Sequence, residues 1–171
     1  MFSRFYPDEY VDNVYKVPFE NLRKAGYQAV IFDIDNTLTK HGEPPTEENV
    51  VFFENLHQMG WSVFFLSNNK EPRVKSYRDK VHYGDYIYLA GKPNPKNYIK
   101  AMEKMHSDIH NTIFVGDQLF TDVWGAKRAG IRTFLSKPIN PHEEIQIVLK
   151  RILEKPILAC YRRSLRRKEK K

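Results

Sequence analysis

At 171 residues and 20.3 kDa the chain is sized for one domain, and 41% hydrophobic, 13% aromatic and 29% charged residues describe a protein with a buried core, which excludes the disordered and fibrous classes. The longest apolar stretches resemble Val63-Phe64-Phe65-Leu66, far short of the roughly 18 residues that a membrane-crossing helix needs. The formal charge of +7 is local: residues 1–150 hold 19 Lys+Arg against 19 Asp+Glu, whereas residues 151–171 hold nine against two.

The start, Met1-Phe2-Ser3-Arg4-Phe5-Tyr6-Pro7, has no continuous apolar segment and no small-residue cleavage site, so export is not expected. Tyr27-Gln28-Ala29-Val30-Ile31-Phe32 is apolar on both faces and rich in strand formers, which predicts a parallel strand covered on both sides. A loop with Gly42, Pro44 and Pro45 follows. Thr46 is placed to cap a helix running to about His57 or Met59, and Gly60 suits its end. Trp61 to Leu66 reads as a second strand, about Glu71 to Val81 as a polar helix and Tyr86 to Leu89 as a third strand. Pro95 opens a helix to about Met105, Thr112 to Val115 is a fourth strand, Leu119 to Ala129 is helical in character, and Ile131 to Leu135 is a fifth strand after Gly130. Alternating strands and helices predict an α/β fold, a five-stranded parallel sheet with right-handed crossovers. Cys160 has no internal partner, which fits a reducing, cytoplasmic compartment. A single domain is expected over residues 1–155, followed from 156 by a basic tail carrying Arg162, Arg163, Arg166, Arg167, Lys168, Lys170 and Lys171. That tail reads either as a solvated terminus or as a handle for phosphate-rich surfaces.

In open parallel sheets, ligands bind at the carboxyl ends of the strands. Four strand ends carry polar groups: Asp33-Ile34-Asp35-Asn36-Thr37, Ser67-Asn68-Asn69, Gly91-Lys92-Pro93, and Gly116-Asp117 through Asp122. Three carboxylates from these strand ends meeting at one edge would repel one another unless a hard cation neutralised them, and Mg²⁺ prefers oxygen ligands of this kind. Lys92 as a point charge and Ser67 as a hydroxyl donor suit a phosphoryl group. The chain has neither a P-loop nor a G-x-G-x-x-G fingerprint, which leaves a carboxylate nucleophile paired with a second carboxyl group as acid and base. Taken singly, Asp33 or Asp35 could belong to a turn, Ser67 and Asn68 could start a helix, Lys92 could be a loop lysine and Asp122 a helix-surface residue. His106 and His110 have metal-like i,i+4 spacing with no third ligand, and a structural or surface role is the simpler reading.

These motifs, with the wording FDIDNTL, LSNNKEPRV, GKPNP and VGDQLFTDVWGAKRAG followed by KPI, resemble the haloacid dehalogenase (HAD) superfamily of phosphohydrolases, and more narrowly its YqeG family. The resemblance covers about residues 5–155. It implies a HAD-like three-layer sandwich and an aspartyl-phosphate mechanism with Asp33 as nucleophile and Asp35 as general acid and base. It also implies Mg²⁺ on the carboxylates of Asp33 and Asp117 and the backbone carbonyl of Asp35. Ser67, with Asn68 beside it, would bind the phosphoryl oxygens, Lys92 would stabilise the nucleophile and the transition state, Thr37 would hold the motif loop, and Asp122 would support the site from behind.

Only a short loop separates Thr37 from the helix near Thr46, and only one helix and one strand fit between Ser67 and Lys92. A capless, open cleft is therefore expected. Capless relatives of YqeG include phosphatases of phosphatidylglycerophosphate, so a lipid phosphate is the favoured substrate, with the basic tail in peripheral contact with the anionic inner face of a membrane. A phosphatase of a small metabolite or nucleotide would use the same residues. A non-catalytic protein bound to RNA or ribosomes through its tail is less favoured, and no obligate protein partner is inferred. A response-regulator receiver fits poorly, because its phosphoacceptor usually follows the third strand and D-x-D here follows the first.

Overall fold

The apolar run near residue 30 forms β2 (Ala29–Phe32), every residue of it inaccessible to solvent, in the computed structural model, which describes residues 2–140 and 145–168. On either side lie β3 (Ser62–Leu66) and β5 (Thr112–Gly116), and beyond them β4 (Asp85–Ile87), β6 (Arg132–Ser136) and β1 (Glu9–Val11). All pairings are parallel, in the order β1-β6-β5-β2-β3-β4. The sheet thus has six strands where five were expected. The addition, β1, is a three-residue, half-buried edge strand with too little apolar pattern to be read locally. It forms because β6 offers a free edge and because the Asp8 carboxylate accepts hydrogen bonds at 2.8 Å from both the Thr133 N–H and its hydroxyl. β4 ends at Ile87, short of the expected Leu89, which turns into the left-handed region (φ 44°).

Successive residues of a strand face opposite ways, and the core is divided accordingly. Val30, Phe32, Phe65 and Val115 point to Phe19 and Leu22 of α1 (Phe19–Lys24), Phe53 and Leu56 of α2 (Glu47–Gln58), and Val74 and Tyr77 of α3 (Glu71–Val81). Ile31, Phe64 and Phe114 point to Tyr98, Ala101 and Met102 of α4 (Lys96–Lys104) and Ala126 of α5 (Trp124–Arg128). Each buried side chain of this size contributes about 1.5–3 kcal/mol. Thr46 caps α2 as expected, with the Asn49 N–H donating to its hydroxyl and the Asn49 side chain accepting from the Thr46 N–H.

A third apolar cluster joins Leu119, Val123 and Leu135 to Ile157 of α6 (Ile145–Lys168). This helix runs through the expected boundary at residue 155 and carries Pro156 inside it. Its inner face is not a solvated tail: Glu154, Ile157 and Tyr161 are at most 5% exposed, and the Tyr161 ring meets that of Tyr6 edge-on at 5.4 Å. Ile152, Leu153, Arg163, Arg166 and Arg167 face outward. Lys170 and Lys171 lie outside the described residues. No helix among the described residues is long and apolar enough to cross a membrane. Neither insertion point holds a cap: the stretch from Thr37 to α2 is a loop, and only α3 and β4 intervene between Ser67 and Lys92.

Candidate active site

Asp33 continues β2 by one residue, its N–H donating to Val115 O at 2.9 Å, and this places it at the carboxyl edge of the sheet. The chain then folds tightly back on Ile34, whose carbonyl accepts from the N–H groups of Thr37 and Leu38, with Asn36 left-handed at φ 65°, a conformation that Asn tolerates. This turn returns Thr37 over Asp33. The single Thr37 hydroxyl lies 3.1 Å from both Asp33 Oδ2 and Asp117 Oδ1, so one proton is set between two buried carboxylates.

Lys92 balances them from the other side. Its ammonium donates to Asp33 Oδ1 at 2.5 Å and to Asp122 Oδ1 at 2.8 Å, with the side chain only 3% exposed. Burial works against the charge on Lys92, but Asp122 and Asp33 outweigh it and hold its pKa above the usual lysine range. Burial pushes the Asp33 carboxyl up and Asp122 adds to the rise against the pull of Lys92, leaving it at about 7. Asp122 is not the helix-surface residue that it could have been. The segment Leu119–Val123 is a π-helical turn, closed by the Val123 N–H on Gln118 O, and it swings Asp122 inward to full burial. Asp122 Oδ2 then accepts from the N–H groups of Asp117 (3.1 Å) and Gln118 (3.0 Å). Gly116 makes room for it: a Cβ there would come within 2.6 Å of Asp122 Oδ2.

Asp33, Asp117 and Asp122 each offer an oxygen within 4.8 Å of the others, the one group of metal-ligand type among the described residues, and neither His106 nor His110 joins it. The donor set is all oxygen and strongly anionic, which fits a hard divalent cation. Asp33 and Asp117, which share one hydroxyl proton, are the pair that would hold a cation. Asp122 is already engaged by Lys92 and two N–H groups.

Ser67 is buried after β3. Its hydroxyl oxygen accepts from the Asn69 N–H at 3.1 Å, and its proton meets no acceptor among the described residues. Asn68, expected at the phosphate, turns its carboxamide to Lys92, accepting from the Lys92 N–H at 2.8 Å and donating to the Lys92 carbonyl at 3.3 Å, and so fixes the Lys92 backbone.

The Asp35 side chain is separate from the cluster of three. Oδ1 accepts from the Gly42 N–H (3.0 Å) and from Arg73 Nη2 (2.9 Å) and Nε (3.2 Å), and Oδ2 from Asn69 Nδ2 (3.3 Å). Burial pulls its pKa up, but the Gly42 N–H and Arg73 outweigh it and hold the carboxyl below the usual range. Sequence reasoning gave no part to Arg73 and, while placing Asn69 at a strand end, named no contact for it. A readable signal existed for Arg73: it lies in the first turn of the helical stretch that begins just after the Ser67-Asn68-Asn69 strand end, and so close to the same sheet edge.

The HAD-hydrolase-like family model matches residues 89–137, which span Lys92, Asp117 and Asp122. The chain is 33% identical over 161 residues to the probable phosphatase YqeG of Bacillus subtilis, covering 94% of this chain and 93% of that one. It is 26% identical over 172 aligned positions to the chloroplastic/mitochondrial phosphatidylglycerophosphate phosphatase 1 of Arabidopsis thaliana, covering 94% of this chain but only 48% of that longer protein. Among solved structures, the 3-deoxy-D-manno-octulosonate 8-phosphate phosphatase of Moraxella catarrhalis, determined with magnesium and phosphate ions, superposes with a TM-score of 0.55 at 13% identity, covering 72% of this chain and 76% of that one.

Proposed function

Because the chain belongs to the YqeG family of HAD-type phosphatases, we propose that it hydrolyses a phosphomonoester through an aspartyl-phosphate on Asp33, with Mg²⁺ as cofactor and a lipid phosphate as substrate. The observation that carries this reading is the buried Asp33 carboxylate at the sheet edge, held by Lys92 on one oxygen and Thr37 on the other. Asp33 attacks phosphorus as the bond to the leaving oxygen breaks, and Asp35, having taken up the proton that a phosphomonoester monoanion brings in, passes it to that oxygen. Water then attacks the same phosphorus, Asp35 takes the proton, and the Asp33 carboxylate is released with inorganic phosphate. Lys92 offsets negative charge on the nucleophile and the phosphoryl oxygens, and the free proton of Ser67 is available to one of those oxygens. Mg²⁺, held by Asp33, Asp117 and the Asp35 backbone carbonyl, would add the remaining positive charge to the phosphoryl group. As it stands, Asp35 is held ionised, the form that the second step uses.

Support for a lipid substrate comes from the cap-free site and from the activity named for the Arabidopsis relative. It also comes from the outer face of α6, where Ile152 and Leu153 precede Arg163, Arg166 and Arg167. Such a face suits peripheral contact with an anionic bilayer, at up to about 1 kcal/mol per well-placed basic residue.

The test is phosphate release from phosphatidylglycerophosphate in mixed micelles and from soluble sugar, nucleotide and aryl phosphates, with and without Mg²⁺. The lipid is expected to be the best substrate, chelation and Asp33→Asn to abolish turnover, and Asp35→Asn to slow alkyl phosphates by about 10² or more. Undiminished turnover in folded Asp33→Asn protein rejects the mechanism. A clear preference for a soluble metabolite rejects the lipid assignment alone.

A further inference from the structure

Arg73 is a cation at the catalytic crevice to which the reaction above assigns no part. It stands in the first turn of α3, with its guanidinium 5.7 Å from the centre of the Tyr77 ring and its side chain 15% exposed. Nε and Nη2 both converge on Asp35 Oδ1, whereas Oδ2 is served by Asn69, and Nη1 makes no hydrogen bond among the described residues. An arginine whose whole task was to hold a carboxylate would lay its fork across both oxygens. Here one edge of the guanidinium holds Asp35 and the other edge keeps donors to offer.

Three further facts bear on what those donors meet. The charge of the transferring phosphoryl group is already addressed by Lys92 and the carboxylate pair that suits a cation, so Arg73 is surplus to it. No cap covers the crevice, so recognition of the leaving group falls to residues at the sheet edge. An acid acts across roughly 3 Å, and Arg73 Nη2 stands 2.9 Å beyond the Asp35 oxygen. The guanidinium is therefore within roughly 6 Å of the ester oxygen, a span that about three to five bonds of a flexible leaving group cover.

We infer that Arg73 is a specificity-determining residue that binds a second oxyanion, of the phosphodiester kind, on the leaving group of the phosphomonoester. The inference rests on the phosphatase reading and adds to it a chemical requirement on the substrate. Arg73 is always charged and presents donors in a planar fork, so lysine reproduces the charge but only part of the recognition.

The test uses two soluble substrates without acyl chains: glycerol 3-phosphate carrying a methyl phosphodiester on its far hydroxyl, and the same compound with a neutral methyl ether there. The full-length protein is expected to favour the diester by about tenfold or more in kcat/KM, chiefly through KM, as a charge-assisted pair of hydrogen bonds warrants. Arg73→Gln should bring the ratio to within about twofold of one, and Arg73→Lys should leave it between the two. Any loss from a loosened Asp35 falls on both substrates and cancels in the ratio, so a merely structural role leaves the ratio unchanged. A wild-type ratio near one, or a ratio that survives Arg73→Gln, overturns the inference. If the wild-type protein hydrolyses neither compound, binding of their phosphonate analogues by calorimetry decides. A preference for the diester that is lost in Arg73→Gln keeps the subsite and rejects the phosphatase reading, whereas equal binding rejects the subsite.

Discussion

The carboxylate of Glu154 accepts a hydrogen bond from the backbone N–H of Leu119 at 2.7 Å, across 35 residues of sequence and with Glu154 only 3% exposed. Leu119 opens the π-helical turn that carries Asp122, and N–H groups at such a start have no partner within the turn. A negative group there is favourable both as an acceptor and against the dipoles of the turn. The terminal helix is thereby fastened to the loop that orders Asp122 and, through it, Lys92.

Glu154→Ala is expected to destabilise the protein by about 1–3 kcal/mol, the cost of leaving a buried N–H unsatisfied, and to lower kcat several-fold. Glu154→Gln, whose carbonyl still accepts, should restore most of both. Urea denaturation and turnover of an aryl phosphate check this. Equal behaviour of the Ala and Gln variants would mean that the hydrogen bond does not matter.

Two truncations separate packing from charge on α6. Ending the chain after Lys155 removes Ile157 and Tyr161, both buried, and should cost about 1.5–3 kcal/mol for each, so thermal stability and turnover of every substrate fall together. Ending it after Ser164 keeps both anchors and removes Arg166, Arg167 and Lys168. Stability and turnover of a soluble substrate should survive this cut, while binding to vesicles rich in anionic lipid weakens. Unchanged vesicle binding after the shorter cut counts against the membrane-facing role of α6, and a loss of RNA binding alone would redirect the helix to nucleic acid.

The raised pKa of Asp33 makes stability without metal depend on pH. Its folded value of about 7 lies above the ordinary aspartate value of about 3.9, so its contribution is fully present below about pH 4 and is lost as pH rises through 7. Metal-free protein should therefore lose up to a few kcal/mol between pH 5 and pH 8, at about 1.4 kcal/mol per unit. Asp35 does not mask this, because its lowered pKa removes stability only as pH falls below the ordinary aspartate range. Asp33→Asn should flatten the slope, and Mg²⁺ should restore the wild-type protein at pH 8 by binding the ionised pair. Denaturant titrations with a chelator at the two pH values test both, and parallel slopes for wild type and Asp33→Asn would remove Asp33 as the cause.

Gly116→Ala places a methyl group 2.6 Å from Asp122 Oδ2, in contact with a fully buried side chain that has no room to retreat. A destabilisation of about 1–3 kcal/mol is expected. Displacing Asp122 also takes a partner from Lys92, so kcat should fall by about tenfold or more while an alanine at the exposed Gly26, remote from the site and with no atom within 4 Å of the added Cβ, leaves turnover of the folded protein unchanged and costs only the strain of its positive φ. Melting curves and kcat for the two variants make the comparison.

Asp33, Asp35, Ser67, Lys92 and Asp117 were legible in the sequence because each follows a strand whose apolar pattern is local, and parallel strands must present their carboxyl ends at one edge. Thr37 was legible because the turn after Asp33 spans a few residues. The contacts of Asn68, Asn69, Arg73 and Asp122 were not. Asn68 meets Lys92 across 24 residues, Arg73 meets Asp35 across 38 and Lys92 meets Asp122 across 30, and nothing in the periodicity of one segment says which side chains another segment will offer it. The same holds for β1, which is a strand only because β6 has an edge to pair with, and for α6, where a basic run read as a tail conceals Ile157 and Tyr161 on the inner face. By itself the sequence determined the alternation of elements, the sheet edge that gathers the acids, and the phosphatase family to which such motifs belong. Tertiary structure alone decided which groups hold each of these side chains in place, because hydrogen bonds and burial between distant segments exist only once the packing of the sheet and its helices has brought them together.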